Sequence, residues 1–146
     1  MLKKLVIILI IASLFTLYLN KSSNNKLHQI KINGYTLQVE IADNDSTRSK
    51  GLSGRKYMAE NTGMLFIFPT VSNHHFWIKG MLIPLDFVWI NENTVVDLTT
   101  NVLPPLLTDV NLPTFTAKSP FNKVIELNAR KIQELNIKIG DTIEFN

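Results

Sequence analysis

Two arginines in the first half of the chain have the chemistry to hold a carboxylate or a phosphate. Arg48 and Arg55 lie seven residues apart, about two helical turns, and flank a segment that contains Gly51 and Gly54. They could share one helical face only if the helix continued through both glycines, which glycine disfavours. A guanidinium binds a carboxylate through two parallel hydrogen bonds, so each arginine could pin a short helix to the sheet or receive an anionic ligand.

Three more side chains join this candidate binding set because of their positions around a predicted turn. Lys79 and Asp86 flank residues 80–84, whose glycine and proline indicate a tip between two strands. Trp77 alternates with its apolar neighbours, so its ring is the aromatic group most expected at the surface. Together with the two arginines, these residues predict a pocket that receives a sugar, carboxylate or phosphate group. The competing interpretation is that the charged residues form structural ion pairs.

No complete catalytic set is present in the sequence. The chain has no cysteine, and Ser53 within residues 51–54 is one position away from the nucleophile-elbow pattern. His74 and His75 are adjacent, so on a strand they point to opposite faces and cannot both bind one metal ion. We therefore expect no catalytic residue, no metal site and no cofactor.

An enzyme is the alternative hypothesis. A hydrolase or transferase acting on a glycan or an anionic substrate would use Asp86 or Glu126 as acid or base. Two carboxylates about 5 to 9.5 Å apart across one cleft would favour this hypothesis.

Short strands are the main elements that would position these residues. Ile30 and Ile32 alternate with polar residues, Asn33-Gly34 is the preferred two-residue hairpin turn, and residues 35–41 alternate again. Further strands are predicted at residues 63–68, 74–79, 85–90, 94–98, 123–127 and 142–145. Pro69 is expected to end the strand at 63–68.

Two short helices and one long connection complete the prediction. Asn44 or Asp45 caps the first helix, which ends at a glycine, and Asn128 caps the second. Residues 99–118 contain three prolines and few strand or helix signals, which makes them a candidate surface for a protein partner. The fold class expected is mainly β (α+β): a compact antiparallel or mixed β-sandwich or small barrel of about seven or eight short strands with two short helices.

An N-terminal hydrophobic helix is expected to precede this domain. Lys3 and Lys4 give a positive tip, and residues 5–19 are apolar except for a serine and a threonine. This pattern is typical of a signal peptide or a short uncleaved membrane anchor. The predicted organisation is therefore a targeting segment over 1–19, a polar linker over 20–26 and one β-rich domain over 27–146. The domain is expected outside the cytoplasm, secreted, periplasmic or held at the outer face of the cytoplasmic membrane.

Net charge gives no indication of a nucleic-acid partner. The chain has 15 basic and 12 acidic residues. Two of the basic residues lie in the targeting tip, so the remainder is close to neutral. No long basic run or aromatic-interleaved basic stripe occurs, so we expect no nucleic acid as a partner.

The order of motifs resembles one known family. The chain has VEIAD at 39–43, TRSKGLSGR at 47–55, GMLFIF at 63–68, FWIK and IPLDFVWI within 76–90, and VIELNA and IGDTI near the end. This series, over roughly residues 28–146, resembles the bacterial and archaeal domain of unknown function 192 family. The resemblance implies a compact, strand-rich domain, often behind an export signal, and brings no established activity. Ser53 and Gly80-Met81 depart from the family pattern, where methionine and an Asn-Thr pair are common.

The export segment and the lack of a catalytic set together favour a non-enzymatic binding or envelope-accessory module. Its expected ligand is a small anion or a glycan, bound by the candidate set described above. A protein-interaction domain that uses loop 99–118 is the remaining alternative.

Overall fold

The computed structural model describes residues 26–106 and 112–145. The predicted N-terminal helix falls within residues 1–25, which lie outside the described ranges. Within them the structure has nine strands and two short helices. The strands are β1 (Leu27–Ile32), β2 (Tyr35–Ala42), β3 (Thr62–Ser72), β4 (Phe76–Trp77), β5 (Leu85–Asn91), β6 (Thr94–Val102), β7 (Thr114–Phe115), β8 (Phe121–Asn128) and β9 (Glu144–Phe145), and the helices are α1 (Asp45–Lys50) and α2 (Lys131–Glu134).

Seven strands form one sheet in the order β6-β5-β8-β3-β2-β1-β9, and β4 pairs with β7 in a separate two-stranded ribbon. All pairs are antiparallel except β2 with β3, which is parallel. The connection between those two strands contains α1, as a parallel crossover requires. The expectation of a mainly β domain with two short helices is confirmed, with nine strands instead of seven or eight.

The β1–β2 hairpin forms as the sequence predicts. Asn33 and Gly34 have φ angles of 51° and 80°, the two left-handed conformations that this turn requires. The Asn33 side-chain amide also donates to Asp141 Oδ2 at 2.8 Å and to the Asn136 carbonyl oxygen at 3.0 Å. The hairpin is thereby tied to the C-terminal segment.

The sheet curls into a half-barrel around one apolar cluster. This inner cluster contains Ile30 from β1 and Val95 from β6, which belong to strands far apart in the sheet order. A bridge between Thr94 and Thr142 and a hydrogen bond from Val95 N to Asp141 O at 2.9 Å join the two sides at one end. The inner face therefore supplies the first core and leaves the outer face for the candidate site.

A second, aromatic cluster covers the outer face of the same sheet. Its largest members pack edge-to-face at centroid distances between 4.9 and 5.7 Å. They are Phe66, Phe76, Phe87, Trp89 and Phe121. Leu52 and Met58 from the segment that follows α1 belong to this cluster, and Phe115 of the β4–β7 ribbon packs against it. The candidate site lies on this outer side.

Several local predictions were wrong. β3 continues through Pro69 to Ser72, because a register shift after Ile67 removes the proline from regular pairing with β8. The predicted strand over 74–79 is only two residues long, and β6 runs four residues beyond the predicted end at position 98. α2 begins after Arg130, not Asn128, whose side chain donates to the Met58 carbonyl oxygen instead.

No described helix is long and apolar enough to cross a bilayer. Residues 103–106 and 112–113 of the long connection have no regular structure. Leu103 and Leu106 are among its exposed apolar side chains.

Candidate functional site

Helix α1 is short, and both its ends are defined by local sequence. The Asn44 side chain accepts from Thr47 N at 3.0 Å, and the Thr47 hydroxyl accepts from Asn44 N, which makes a capping box. Gly51 ends the helix with φ of 46° and packs on the Phe66 ring, where an added Cβ would lie 3.2 Å from Cζ. The helix end is therefore fixed against the aromatic cluster.

Arg48 is held at the edge of this cluster by three contacts. Its Nη1 donates to the Ile67 carbonyl oxygen at 2.8 Å and its Nη2 donates to Asp45 at 2.6 Å. The guanidinium also lies over the Phe68 ring, 5.4 Å from the centroid. The charge of Arg48 is thus largely balanced by Asp45.

Arg55 does not share a face with Arg48, because the helix ends at Gly51 between them. Its two terminal nitrogens both donate to the Glu40 carboxylate in a bidentate fork. This hydrogen bonding raises the pKa of Arg55. The fork pins the chain after α1 to strand β2, the structural role that the sequence left open for an arginine.

The loop after α1 and the tip before β5 are docked against each other. Gly54 N donates to the Gly80 carbonyl oxygen at 2.7 Å. Gly80 has φ of 71°, and an added Cβ would lie 2.2 Å from Ser53 Oγ. This close approach places Ser53 and Lys79 along the same opening.

A cleft of about 250 Å³ lies between α1, the loop after it and residues 75–81. Trp77 lines it with 59 % of its surface exposed, as the strand alternation predicts. Lys79 also lines it and is exposed, with no hydrogen bond or ion pair to any residue in 26–106 or 112–145. The lining residues are Asp45, Arg48, Ser49, Lys50, Gly51, Leu52, Ser53, Phe66, Phe68, His75, Phe76, Trp77, Lys79, Met81 and Glu126.

Glu126 also lines this cleft, and it is nearly buried. It faces the aromatic side of the sheet from β8, where it pairs with Met64 on one neighbouring strand and Phe87 on the other. Its side chain has no hydrogen-bond partner among the described residues and is 5 % exposed. Burial raises the pKa of Glu126 to about 8, although the nearby charge of Arg55 opposes this shift. The carboxyl group is therefore mainly neutral at pH 7.

Asp86 is not brought to this cleft. It precedes Phe87, so strand alternation turns it to the opposite face from Glu126. Its Oδ1 accepts from Asn101 N at 2.8 Å and its Oδ2 accepts from Ile132 N at 3.0 Å. The fully buried carboxylate thereby caps α2 from another strand, and Asp86 and Glu126 do not face one cleft, the arrangement that would have favoured the enzyme hypothesis.

The histidines lie on different surfaces. His74 stacks on Phe68 at 3.9 Å between centroids, and its Nε2 lies 3.0 Å from Thr70 O. His75 is exposed and lines the cleft. Within the described ranges no group of three or more His, Cys, Asp or Glu side chains is placed to hold a metal ion.

Of the five candidate residues, the structure brings Arg48, Trp77 and Lys79 to one cleft. Arg55 lies behind them in its fork with Glu40, and Asp86 lies on the other face. The importance of Glu126 as an unpartnered cleft residue was not predicted. The available signal was one charged residue within the apolar strand Val124-Ile125-Glu126-Leu127.

The family model for domain of unknown function 192, described as "Uncharacterized ACR", matches residues 28–145. The chain belongs to this family. The resemblance identified from the motif order is confirmed over nearly the whole described domain.

Two solved structures share the fold of this member of the domain of unknown function 192 family. One is a candidate transcription regulator from Sinorhizobium meliloti 1021, with 29 % identity and a TM-score of 0.74 over 83 % of this chain and 95 % of that chain. The other is a protein of unknown function from Novosphingobium aromaticivorans DSM 12444, with 24 % identity and a TM-score of 0.75 over 84 % and 88 % of the two chains. No curated protein is significantly similar in sequence to this chain.

Proposed function

We propose that this chain is a non-enzymatic binding module that takes a small anionic ligand, such as an organic acid or an acidic sugar, in the aromatic cleft. The observation that carries the proposal is the combination of Lys79, which has no partner among the described residues, with the exposed ring of Trp77 at the same opening. A cation and a planar aromatic surface are the groups that bind acidic sugars and aromatic acids.

The electrostatics of the cleft support an anion over a cation. Arg48 is balanced by Asp45, whereas Lys50 and Lys79 form no ion pair within the described residues and also line the opening. Glu126 adds little negative charge at neutral pH because it is mainly protonated. The cleft therefore has a net positive field, which attracts anions.

The size of the cleft limits the ligand. A volume of about 250 Å³ is slightly below the range of roughly 300–1,000 Å³ for drug-sized pockets. The proposed ligand is consequently no larger than a monosaccharide acid or a substituted aromatic ring.

A panel of organic anions and acidic sugars tests this function by thermal shift on the full-length chain in mild detergent. At least one anion should raise the melting temperature, and Lys79→Met and Trp77→Ala should each reduce that increase. Lys31→Met is the matched control, because Lys31 is an exposed lysine on β1, outside the cleft lining. The proposal fails if no anion stabilises the protein, or if both cleft variants respond as the control does.

We further propose that the module works outside the cytoplasm, exported or anchored by residues 5–19. The basic tip followed by an apolar run supports this proposal, because export signals have the same sequence pattern. Cell fractionation tests this location. Recovery of the chain from the cytosol with residues 1–19 intact would contradict it.

A further inference from the structure

Glu126 is the one buried carboxyl group of the described residues that faces the cleft without a hydrogen-bond partner. Its carboxyl oxygens are not fully buried, since Asn91 Oδ1 is the only fully buried side-chain polar atom without a partner among the described residues, so they remain accessible from the cleft. Its neighbours in the sheet, Met64 and Phe87, are apolar and cannot supply a hydrogen bond. A further hydrogen-bond partner of this carboxyl can therefore only be a molecule in the cleft, either water or a ligand.

We infer that Glu126 is the ligand-anchoring residue of the cleft, and that it binds in its neutral form by donating its O–H to a carboxylate on the ligand. This inference rests on the proposed anion-binding function and specifies the chemical class of the anion. The ligand is a monocarboxylate with an apolar or aromatic body.

The surroundings of Glu126 explain why the carboxyl can be neutral when an anion arrives. Burial raises its pKa, and an approaching carboxylate disfavours its ionised form further. Arg55 opposes this shift, but its guanidinium is already forked onto Glu40. An O–H donated to an ionised carboxylate is among the stronger hydrogen bonds in proteins.

The cleft walls favour a monocarboxylate over a phosphate. The interior walls include the apolar side chains of Leu52, Phe66, Phe76 and Met81, so a bound anion loses much of its water there. A phosphate monoester carries about −1.5 to −2 charges at pH 7, and the second charge adds to the desolvation cost beside a buried carboxyl. A carboxylate carries one delocalised charge, so its desolvation beside these apolar walls costs less.

Charged side chains from three segments of the chain face this part of the cleft. Lys79 comes from the tip before β5, His75 from the segment before β4, and Arg48, Lys50 and Asp45 from α1. Arg55, from the loop after α1, is the charge that acts on the Glu126 carboxyl, and it is forked onto Glu40 of β2. A Glu126 variant separates the effect of this carboxyl from the effects of the other groups.

The test is isothermal titration calorimetry of the full-length chain in mild detergent at pH 7, 8 and 9, with benzoate as the probe. Phenylphosphonate, benzamide and benzylamine are the comparison probes for a dianion, a neutral group and a cation. Benzoate affinity should fall about tenfold from pH 7 to pH 9, because the protonated fraction of Glu126 falls by that factor. At pH 8 about half a proton should be taken up on binding, measured from buffers with different ionisation enthalpies.

Glu126→Gln keeps an N–H donor but cannot titrate. In this variant benzoate should bind with less than about a twofold change across the pH range and no proton uptake. Glu144→Gln, an exposed glutamate on β9, is the matched control and should retain the wild-type pH dependence.

The outcomes separate this inference from the proposed function. If no anion binds at any pH, both fail. If benzoate binds but its pH dependence persists in Glu126→Gln, or if phenylphosphonate binds more tightly, the anion-binding function survives and the role of Glu126 is overturned. Tighter binding of benzylamine, with proton release, would overturn both.

Discussion

Glu40 and Glu126 lie on the same face of the sheet, one on each strand that flanks Met64, yet they have opposite electrostatic environments. Glu40 accepts a bidentate fork from Arg55, whereas Glu126 has no hydrogen-bond partner among the described residues. One carboxylate is thereby stabilised as an anion and the other as a neutral acid. Glu40 therefore has a structural role, whereas the Glu126 carboxyl is available to a ligand in the cleft.

Glu126→Gln should stabilise the protein more at pH 8 than at pH 5. In the unfolded chain the pKa returns to near 4.5, so between pH 4.5 and about 8 the unfolded state loses a proton that the folded state keeps. The free energy of unfolding of the wild type then falls as pH rises, by up to about 1.4 kcal/mol per pH unit. Glu126→Gln removes this pH-dependent loss of stability because a glutamine side chain does not titrate. Urea unfolding at four pH values measures the difference, and a wild-type and variant pair with parallel pH profiles would contradict it.

Arg55→Met should destabilise the domain by about 1–3 kcal/mol, because it removes the fork from a mostly buried Glu40 carboxylate. A double-mutant cycle with Glu40→Gln should give a favourable coupling energy of similar size. Arg55→Met should also raise the pKa of Glu126 further, since the charge that opposes the burial effect is lost. Additive effects of the two substitutions would show that the fork contributes little.

Asp86→Ala should be among the more damaging single substitutions, costing about 2–5 kcal/mol. It leaves the buried N–H group of Ile132 and the part-buried N–H group of Asn101 without acceptors and removes the cap of α2. Asp43→Ala is the control, because Asp43 is exposed and should change stability by less than about 0.5 kcal/mol. Chemical denaturation compares them. Loss of anion binding by folded Asp86→Ala protein, without a change in stability, would return Asp86 to the site.

Gly63→Ala should destabilise by about 1–3 kcal/mol through steric overlap. A Cβ there would lie 2.6 Å from the Glu126 carbonyl oxygen and 2.8 Å from Leu127 Cδ2, so β3 and β8 would have to separate. Gly34→Asn is the comparison, because its turn position has open space and a left-handed conformation that asparagine tolerates. Thermal unfolding distinguishes them; equal losses of stability would contradict the packing explanation.

Local signals predicted the parts of the fold that depend on a few neighbouring residues. Asn33-Gly34 fixed its hairpin because both residues adopt the conformation that the turn needs. Asn44 and Gly51 bounded α1 for equally local reasons. Pro69 misled the prediction because a register shift, a property of two strands together, lets β3 continue through it.

The candidate site was less accessible from sequence because it depends on strand register. The enzyme hypothesis named Asp86 or Glu126 as acid or base, but the alignment of Phe87 with Glu126 turns the two carboxylates to opposite faces. Trp77 was placed correctly by simple alternation. The docking of Gly54 on Gly80, which brings Lys79 to the cleft, joins segments that no local pattern connects.

The protonation state of Glu126 is tested most directly by a ¹³C NMR titration of its side-chain carboxyl, with and without benzoate. We expect a pKa of about 8 in the free protein and a higher value with benzoate bound. A carboxyl that titrates near 4.5 and does not respond to benzoate would contradict a neutral, ligand-binding Glu126.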